Sequence, residues 1–323
     1  MNDKRKLVAQ FGQKTILVVG DVMVDSYLIG RVHRISPEAP VPVVLLEEQQ
    51  NRLGGAANVA LNVASLGGEA ILCSVLGKDE SGVLFKQLMA QEKLDTSGLI
   101  ISAERKTTTK SRVFSSGQQL LRLDEEDNHY LSPEEEERLL AHIFELLERK
   151  HIDVILFQDY NKGVLTKGII KKLIDFSRKH QIKTVVDPKR INFFEYQGVT
   201  LLKPNLKEIS EAMGQEISPT KPALDRAARN LQDKMGCEKV LVTLSAKGLY
   251  VLDEDESFLL PTTTKSVADV SGAGDTVISV IALGLAADAK IIDIATLSNR
   301  AAGIVCSQMG VVPITSRALI NAI

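Results

Sequence analysis

Cysteine is scarce in this chain: Cys73, Cys237 and Cys306 lie far apart among 323 residues and form no CxxC pair. An odd, sparse count disfavours a disulfide scaffold and suits small buried thiols in a reducing cytosol, so a cytoplasmic protein is expected. The five histidines, His33, His129, His142, His151 and His180, show no ligand spacing and read as surface or structural side chains. With neither residue clustered, a zinc module is disfavoured. No run approaches the roughly 18 uninterrupted apolar residues of a membrane helix. The charged start, MNDKRKLVAQFGQK, leads into no long apolar stretch and does not read as a signal peptide. An excess of one charge is missing too. Lys+Arg number 39 against 41 Asp+Glu, a net charge of −2. Polyanion binders carry a strong basic surplus, so nucleic acid and acidic membrane surfaces are poor partners. Signature loops of several enzyme classes are also absent. There is no GxxxxGK[ST], Gly272-x-Gly274 lacks the third glycine of GxGxxG, and no HExxH or Ser-His-Asp set is visible.

What is present is the pattern of an α/β protein. Hydrophobic residues make up 44% and charged residues 25%, ordinary values for a globular chain long enough to bury a large core. Short β-branched runs at Thr15–Val19, Ile152–Phe157, Lys183–Val186, Val199–Leu202 and Lys239–Leu244 read as buried parallel strands. Helical patterns lie between many of them, at Pro133–Lys150, Thr166–His180, Asn205–Met213 and Leu224–Met235. The alternation predicts βαβ units and a mainly parallel sheet covered on both faces. A second texture interrupts it. Val41–Leu46, Lys106–Phe114 and Gln118–Leu123 are strand-like, and Ser115-Ser116-Gly117 offers a hairpin turn between the last two. These pieces, near 27–50 and 98–125, predict a small antiparallel sheet that covers a site or pairs with a second subunit. No linker, repeat or low-complexity segment divides the chain, so one domain over 1–323 is expected.

The strands finish in polar residues: Gly20-Asp21, Gln158-Asp159, Asp187-Pro188-Lys189, Lys203-Pro204-Asn205 and Thr243-Leu244-Ser245. Singly, such residues punctuate loops and cap helices. Together they point to a ligand beyond the carboxyl ends of a parallel sheet. Two glycine-opened helices sharpen this. Asp269-Val-Ser-Gly-Ala-Gly-Asp275-Thr276 precedes an apolar helix. The N–H groups of Gly272, Ala273, Gly274 and Asp275 would form an anion hole for a transferring phosphoryl group. Asp275, in the first turn, is placed to accept a proton from an attacking hydroxyl, or else simply caps the helix. Gly54-Gly55-Ala56-Ala57-Asn58 opens a second helix. Asn58 offers a donor and an acceptor suited to sugar hydroxyls, unless the small residues serve tight helix packing.

In that order and at these positions, the two motifs resemble the paired signatures of the ribokinase-like (PfkB) carbohydrate kinases. Asn205-Leu206-Lys207-Glu208 is similar to the family's NxxE motif, and Thr243-Leu-Ser245-Ala-Lys-Gly248 to its nucleotide loop. A narrower resemblance, to the kinase part of bacterial heptose-phosphate kinase/adenylyltransferases, rests on further segments. They are Gly20-Asp-Val-Met-Val-Asp25, Arg34-Ile-Ser-Pro-Glu-Ala-Pro-Val-Pro-Val43, Gln118-Gln-Leu-Leu-Arg122-Leu-Asp124, Asp159-Tyr-Asn-Lys162-Gly163 and Asp187-Pro-Lys189. Ser271 stands where that pattern has Thr, which keeps a hydroxyl. No HxGH-type adenylyltransferase motif occurs before Ile323, so a kinase without a nucleotidyltransferase domain is expected, with adenylylation left to a separate protein.

The resemblance implies a three-layer α/β/α fold with a β lid, and ATP and Mg2+ as cofactors. The reaction implied is phosphorylation of C1 of D-glycero-β-D-manno-heptose 7-phosphate, on the way to ADP-heptose and the lipopolysaccharide core. Another sugar or sugar-phosphate kinase is the near alternative, and a non-catalytic sugar or nucleotide sensor the distant one. Asp275 would be the base, with Gly272, Ala273 and Gly274 holding the transferred group. Asp21, Asp25, Gly54, Gly55 and Asn58 would meet the sugar; for Asp25 a turn cap is the alternative. Arg112, Arg122, Lys162 and Lys189 are the candidate cations for the distal phosphate, or else solvated surface charges. Asn205, Leu206, Lys207 and Glu208 would act on the nucleotide side, with Glu208 reaching magnesium through water. Asn205 and Glu208 also fit an ordinary helix-capping pair. Thr243, Ser245, Gly248 and Asn299 would line the adenosine path. A homodimer through the lid sheets is the partner implied.

Overall fold

A computed structural model describes residues 2–263, 267–308 and 310–323. Helix α1 (Asn2–Gln10) leads into β1 (Thr15–Gly20), β2 (Val22–Ile35), β3 (Pro42–Gly55) and α2 (Ala56–Ser65). Then come β4 (Glu69–Gly77), α3 (Glu80–Gln91), β5 (Leu99–Ser102), β6 (Thr109–Ser115), β7 (Gln118–Glu125) and α4 (Pro133–Arg149). The chain continues through β8 (Val154–Gln158), α5 (Lys167–His180), β9 (Lys183–Asp187), β10 (Leu201–Leu202), α6 (Leu206–Met213) and α7 (Lys221–Met235). It ends with β11 (Lys239–Thr243), β12 (Leu249–Asp253), β13 (Glu256–Leu260), α8 (Ala273–Ala286), α9 (Ile291–Cys306) and α10 (Ser316–Asn321).

The large sheet runs β13-β12-β11-β10-β9-β8-β1-β4-β5. It is parallel from β11 to β5, and β12 and β13 add an antiparallel edge. Period-two alternation splits each central strand between two cores. In β1, Ile16 and Val18 join the core built with α2, α8 and α9, while Leu17 and Val19 join the core built with α4, α5 and α7. This is the three-layer α/β/α arrangement that the alternating pattern predicts. The chain goes outward from β1 to β4 and returns to β8 on the other side of β1. The resulting crevice at the carboxyl ends of β1 and β8 is the position where open parallel sheets take ligands.

The second sheet runs β3-β2-β6-β7. Its outer ladders are antiparallel, and the central β2–β6 ladder is parallel. Ser116 at φ 51° and Gly117 at φ 79° make the two-residue turn between β6 and β7, the mirror-image geometry that matches strand twist. Two boundaries differ from expectation. Residues 22–35 form one long strand, so Asp25 lies mid-strand rather than capping a turn. Leu99–Ser102, expected in the lid, extends the large sheet beside β4. Its neighbour β4 offers an open parallel edge, and the apolar Leu99-Ile100-Ile101 run half-buries there.

Candidate active site

Both glycine-opened helices point their amino ends into the crevice. Gly272, at φ 77°, is the N-cap of α8, and Asp275 follows in the first turn, 5% exposed. Gly55, at φ 61°, caps α2, and Asn58 follows in its first turn. The two meet directly. Asn58 Nδ2 donates to Asp275 Oδ2 at 2.7 Å. The other carboxylate oxygen accepts from Tyr160 Oη at 2.8 Å and from Gln158 Nε2 at 3.2 Å. Burial is the largest influence on Asp275 and pushes its carboxyl up to about 6, against the Asn58 and Tyr160 hydrogen bonds that favour the charged form. Such a group is ionised at neutral pH yet basic enough to take a hydroxyl proton. Asp269 holds the preceding loop: its oxygens accept from Ser271 N at 2.9 Å and Gly310 N at 3.0 Å.

On the lid side, Asp25 Oδ1 accepts from Arg112 Nη1 at 2.5 Å. The guanidinium stands 5.6 Å from the centre of the Tyr27 ring, with Arg52 at 5.0 Å from the same ring. Glycine at 54 is a steric requirement, because a Cβ there would collide with the Asp25 carboxylate. Asp21 is placed differently from expectation. Its oxygens accept from the backbone N–H groups of Tyr160 (2.8 Å), Lys162 (3.0 Å) and Val164 (3.0 Å). The carboxylate is committed to a loop, and its residue is 1% exposed. The four expected phosphate cations converge only in part. Arg112 and Arg122 share a rung of the β6–β7 ladder. Arg122 is exposed and forks onto Asp124 at 2.9 and 3.0 Å. Lys162 pairs with Glu126 at 2.6 Å. Lys189 sits on the other flank, bonded to Glu208 and 3.7 Å from Asp187. Burial alone would lower the Lys189 ammonium, but these two carboxylates outweigh it and hold it above its usual range.

A cavity of about 1010 Å³ adjoins the base. Ala273 and Gly274, just before Asp275, line it. Asn205, Leu206 and Lys207 line one wall, Thr243, Ser245 and Gly248 another, and Asn299 a third. Leu249, Val270, Val277 and Ala302 give it apolar surface suited to a flat heterocycle. Asn205 and Glu208 form a reciprocal capping box on α6, each bond 2.8 Å, and of the two Asn205 also lines the cavity. Beside them Lys203, 3% exposed, donates to Asp187 Oδ2 at 3.0 Å. The opposite oxygen of Asp187 is buried without a hydrogen-bond partner. That oxygen has the Lys189 ammonium 3.7 Å away, and carboxylate oxygens such as those of Asp187 and Glu208 are the hard donors that magnesium takes, so these residues fit the implied ion.

A family model described as pfkB family carbohydrate kinase matches residues 13–317. The chain belongs to the pfkB family. Among curated relatives, Bifunctional protein HldE of Pelobacter propionicus is 40% identical over 308 residues, covering 95% of this chain and 62% of that one. Bifunctional protein HldE of Methylobacillus flagellatus is 43% identical over 305 residues, covering 94% and 62%. This pfkB chain thus spans about 62% of the length of those relatives. Among solved structures, phosphofructokinase-2 from Escherichia coli in complex with substrates and products aligns with a TM-score of 0.79 at 20% identity, covering 96% of this chain and 97% of that one. Arabidopsis thaliana ribokinase complexed with ribose and ATP aligns at 0.73 and 17%, covering 96% and 98%. These likenesses show that the pfkB chain has the ribokinase-like fold.

Four residues at the pfkB site stand outside the set read from sequence: Tyr160, Gln158, Asp187 and Lys203. All lie at or just beyond a strand's carboxyl end, and that rule was the available signal. It marked the segments without saying which side chains turn toward Asp275.

Proposed function

We propose that this chain is an ATP-dependent kinase for the anomeric hydroxyl of a heptose 7-phosphate, D-glycero-β-D-manno-heptose 7-phosphate being the leading substrate. The observation that carries the phosphotransfer reading is the meeting of Asn58, Tyr160 and Gln158 on one buried carboxylate, Asp275, directly after the cavity-lining Ala273 and Gly274. Asp275 takes the proton of the attacking hydroxyl. The N–H groups at the start of α8 and the ammonium of Lys203 receive the charge that develops on the transferred phosphoryl group. Lys203 reaches this point because it lies beside Gly274, where a Cβ would come within 3.8 Å of its Nζ.

The nucleotide would occupy the cavity, its base between the apolar walls near Asn299 and its phosphates toward Gly274. Glu208 would hold magnesium through water; the ion neutralises phosphate charge when bound. Asn58 and Asp25 would contact the sugar, and Arg112, with Arg122 across the ladder, would meet its distal phosphate. The substrate is proposed on the segment resemblances at 20–25, 34–43, 118–124, 159–163 and 187–189. Coupled ADP release tests it, with heptose 7-phosphate set against fructose 6-phosphate and ribose. Faster turnover of either control at equal concentration would reject the heptose assignment. The product, a sugar 1,7-bisphosphate, would pass to a nucleotidyl-transfer step in the same proposal.

A further inference from the structure

The loop 159–164 brings Tyr160 to Asp275, and its backbone is held from several sides. Every second backbone N–H, at Tyr160, Lys162 and Val164, donates to the Asp21 carboxylate at 2.8–3.0 Å. Asn161 takes a left-handed φ of 55° and donates its N–H to Asp159 Oδ1 at 2.7 Å. Gly163 sits at φ 88°, and a Cβ there would collide with the carbonyl of His129. From the far side the buried Arg105 donates to the Lys162 carbonyl. The outcome of all these ties is the place of one hydroxyl, Tyr160 Oη, 2.8 Å from Asp275 Oδ1.

We propose that the loop is a preset clamp on the base: Asp21 and Arg105 fix its backbone so that Tyr160 holds the Asp275 oxygen that Asn58 does not. Tyr160 is a positioning residue, and Asp21 is its anchor. With a donor on each oxygen, the carboxylate is oriented before substrate arrives, and none of that ordering is left to the moment of reaction. Burial, and then the charge of Asp275, raise the Tyr160 phenol well above its usual range, so it stays a donor throughout. A donor to the ionised form stabilises it. The other charged groups that bear on Asp275 are Asp187 at the end of β9, Lys189 just after it and Lys203 beyond β10; α2 presents only the neutral Asn58. The catalytic consequence rests on the kinase reading, but the clamp itself does not.

The test is the titration of the Asp275 carboxyl by carbon-13 NMR in aspartate-labelled protein without substrate, assigned by its loss in Asp275→Asn. In Tyr160→Phe the midpoint should rise by about one pH unit, since one charge-assisted hydrogen bond to the ionised form is gone. Asp21→Asn, which keeps the shape but weakens the anchor, should move it the same way by less. The acid limb of kcat/KM should follow the midpoint in Tyr160→Phe, with KM for the sugar changed less than about threefold. An unmoved midpoint in either variant, with thermal unfolding like wild type, overturns the clamp. Absence of turnover by wild type on every phosphosugar would overturn the kinase reading instead, and the NMR midpoints would still decide the clamp.

Discussion

A buried carboxyl poised at about 6 ties the chemistry to pH. As the proposed base, Asp275 would work only when ionised, so kcat/KM should be flat above about pH 7 and fall about tenfold per pH unit well below 6. In Asp275→Asn the hydrogen bonds from Asn58 and Tyr160 meet an amide in place of a carboxylate. Turnover should drop by about 10²–10⁴ and lose that acid limb, while nucleotide binding, read by calorimetry, stays within a few-fold. A limb that persists in the variant would assign it to another group. Lys203 makes a second residue-level case. Its side chain is 3% exposed and paired with an equally hidden Asp187. Removing one partner of a buried pair leaves an uncompensated charge, at a cost of about 3–5 kcal/mol. Lys189, 3.7 Å from the same carboxylate, places Lys203→Met at the lower end, about 3 kcal/mol by denaturant titration. Asp275 was legible in the sequence because a glycine pair before an apolar helix is local chemistry. Lys203 and Tyr160 were not, because their value comes from groups 71 and 115 positions away: Lys203 Nζ faces Gly274, and Tyr160 Oη bonds Asp275.

Elements repeat this division between local and distant causes. The capping box on α4 follows from Ser132, Pro133 and Glu135 alone, and the structure places both of its hydrogen bonds. α6 has the same device, but there its Asn205 lines the cavity proposed for the nucleotide. Ser132→Ala and Asn205→Ala should therefore lose similar stability, about 1 kcal/mol each. They should differ in function: KM for ATP unchanged in Ser132→Ala and raised several-fold in Asn205→Ala. Equal KM values would remove Asn205 from the nucleotide wall. β2 was the element least visible in advance. Its 14 residues mix apolar positions with Asp25, Ser26, Gly30 and two arginines, so no single period runs through it. The reason is its environment: the first half is buried, the second half stands in solvent, and two register shifts against β3 break the alternation. β10 erred the other way. Four β-branched and leucine residues read as a strand, and only Leu201–Leu202 join the ladder.

At the scale of the molecule, the lid sheet leaves a problem that one chain does not solve. All eight residues of β7 are exposed, and the strand is a sheet edge. Leu120, Leu121 and Leu123 are 42–53% exposed on it, and Leu45 and Leu46 on β3 are more than half exposed. Free edges with apolar side chains normally find cover. The family resemblance implies a second copy of this chain, lid against lid, and we propose that partner as the cover for this edge. The same sheet carries exposed ion pairs of both signs, Arg122 with Asp124 on β7 and Arg31 with Glu47 across β2 and β3. Leu121→Asp would bury a carboxylate in that contact and should convert a dimer to a monomer in sedimentation velocity at micromolar concentration. Stability of the separated chain should barely move, since Leu121 is 53% exposed within it. Activity then reports what the dimer does. If the second lid keeps Arg112 and Arg122 in place over the sugar, KM for the phosphosugar rises while kcat at saturation holds. A wild-type chain that sediments as a monomer at those concentrations would leave the leucines without this explanation and return the lid to a purely intrachain role.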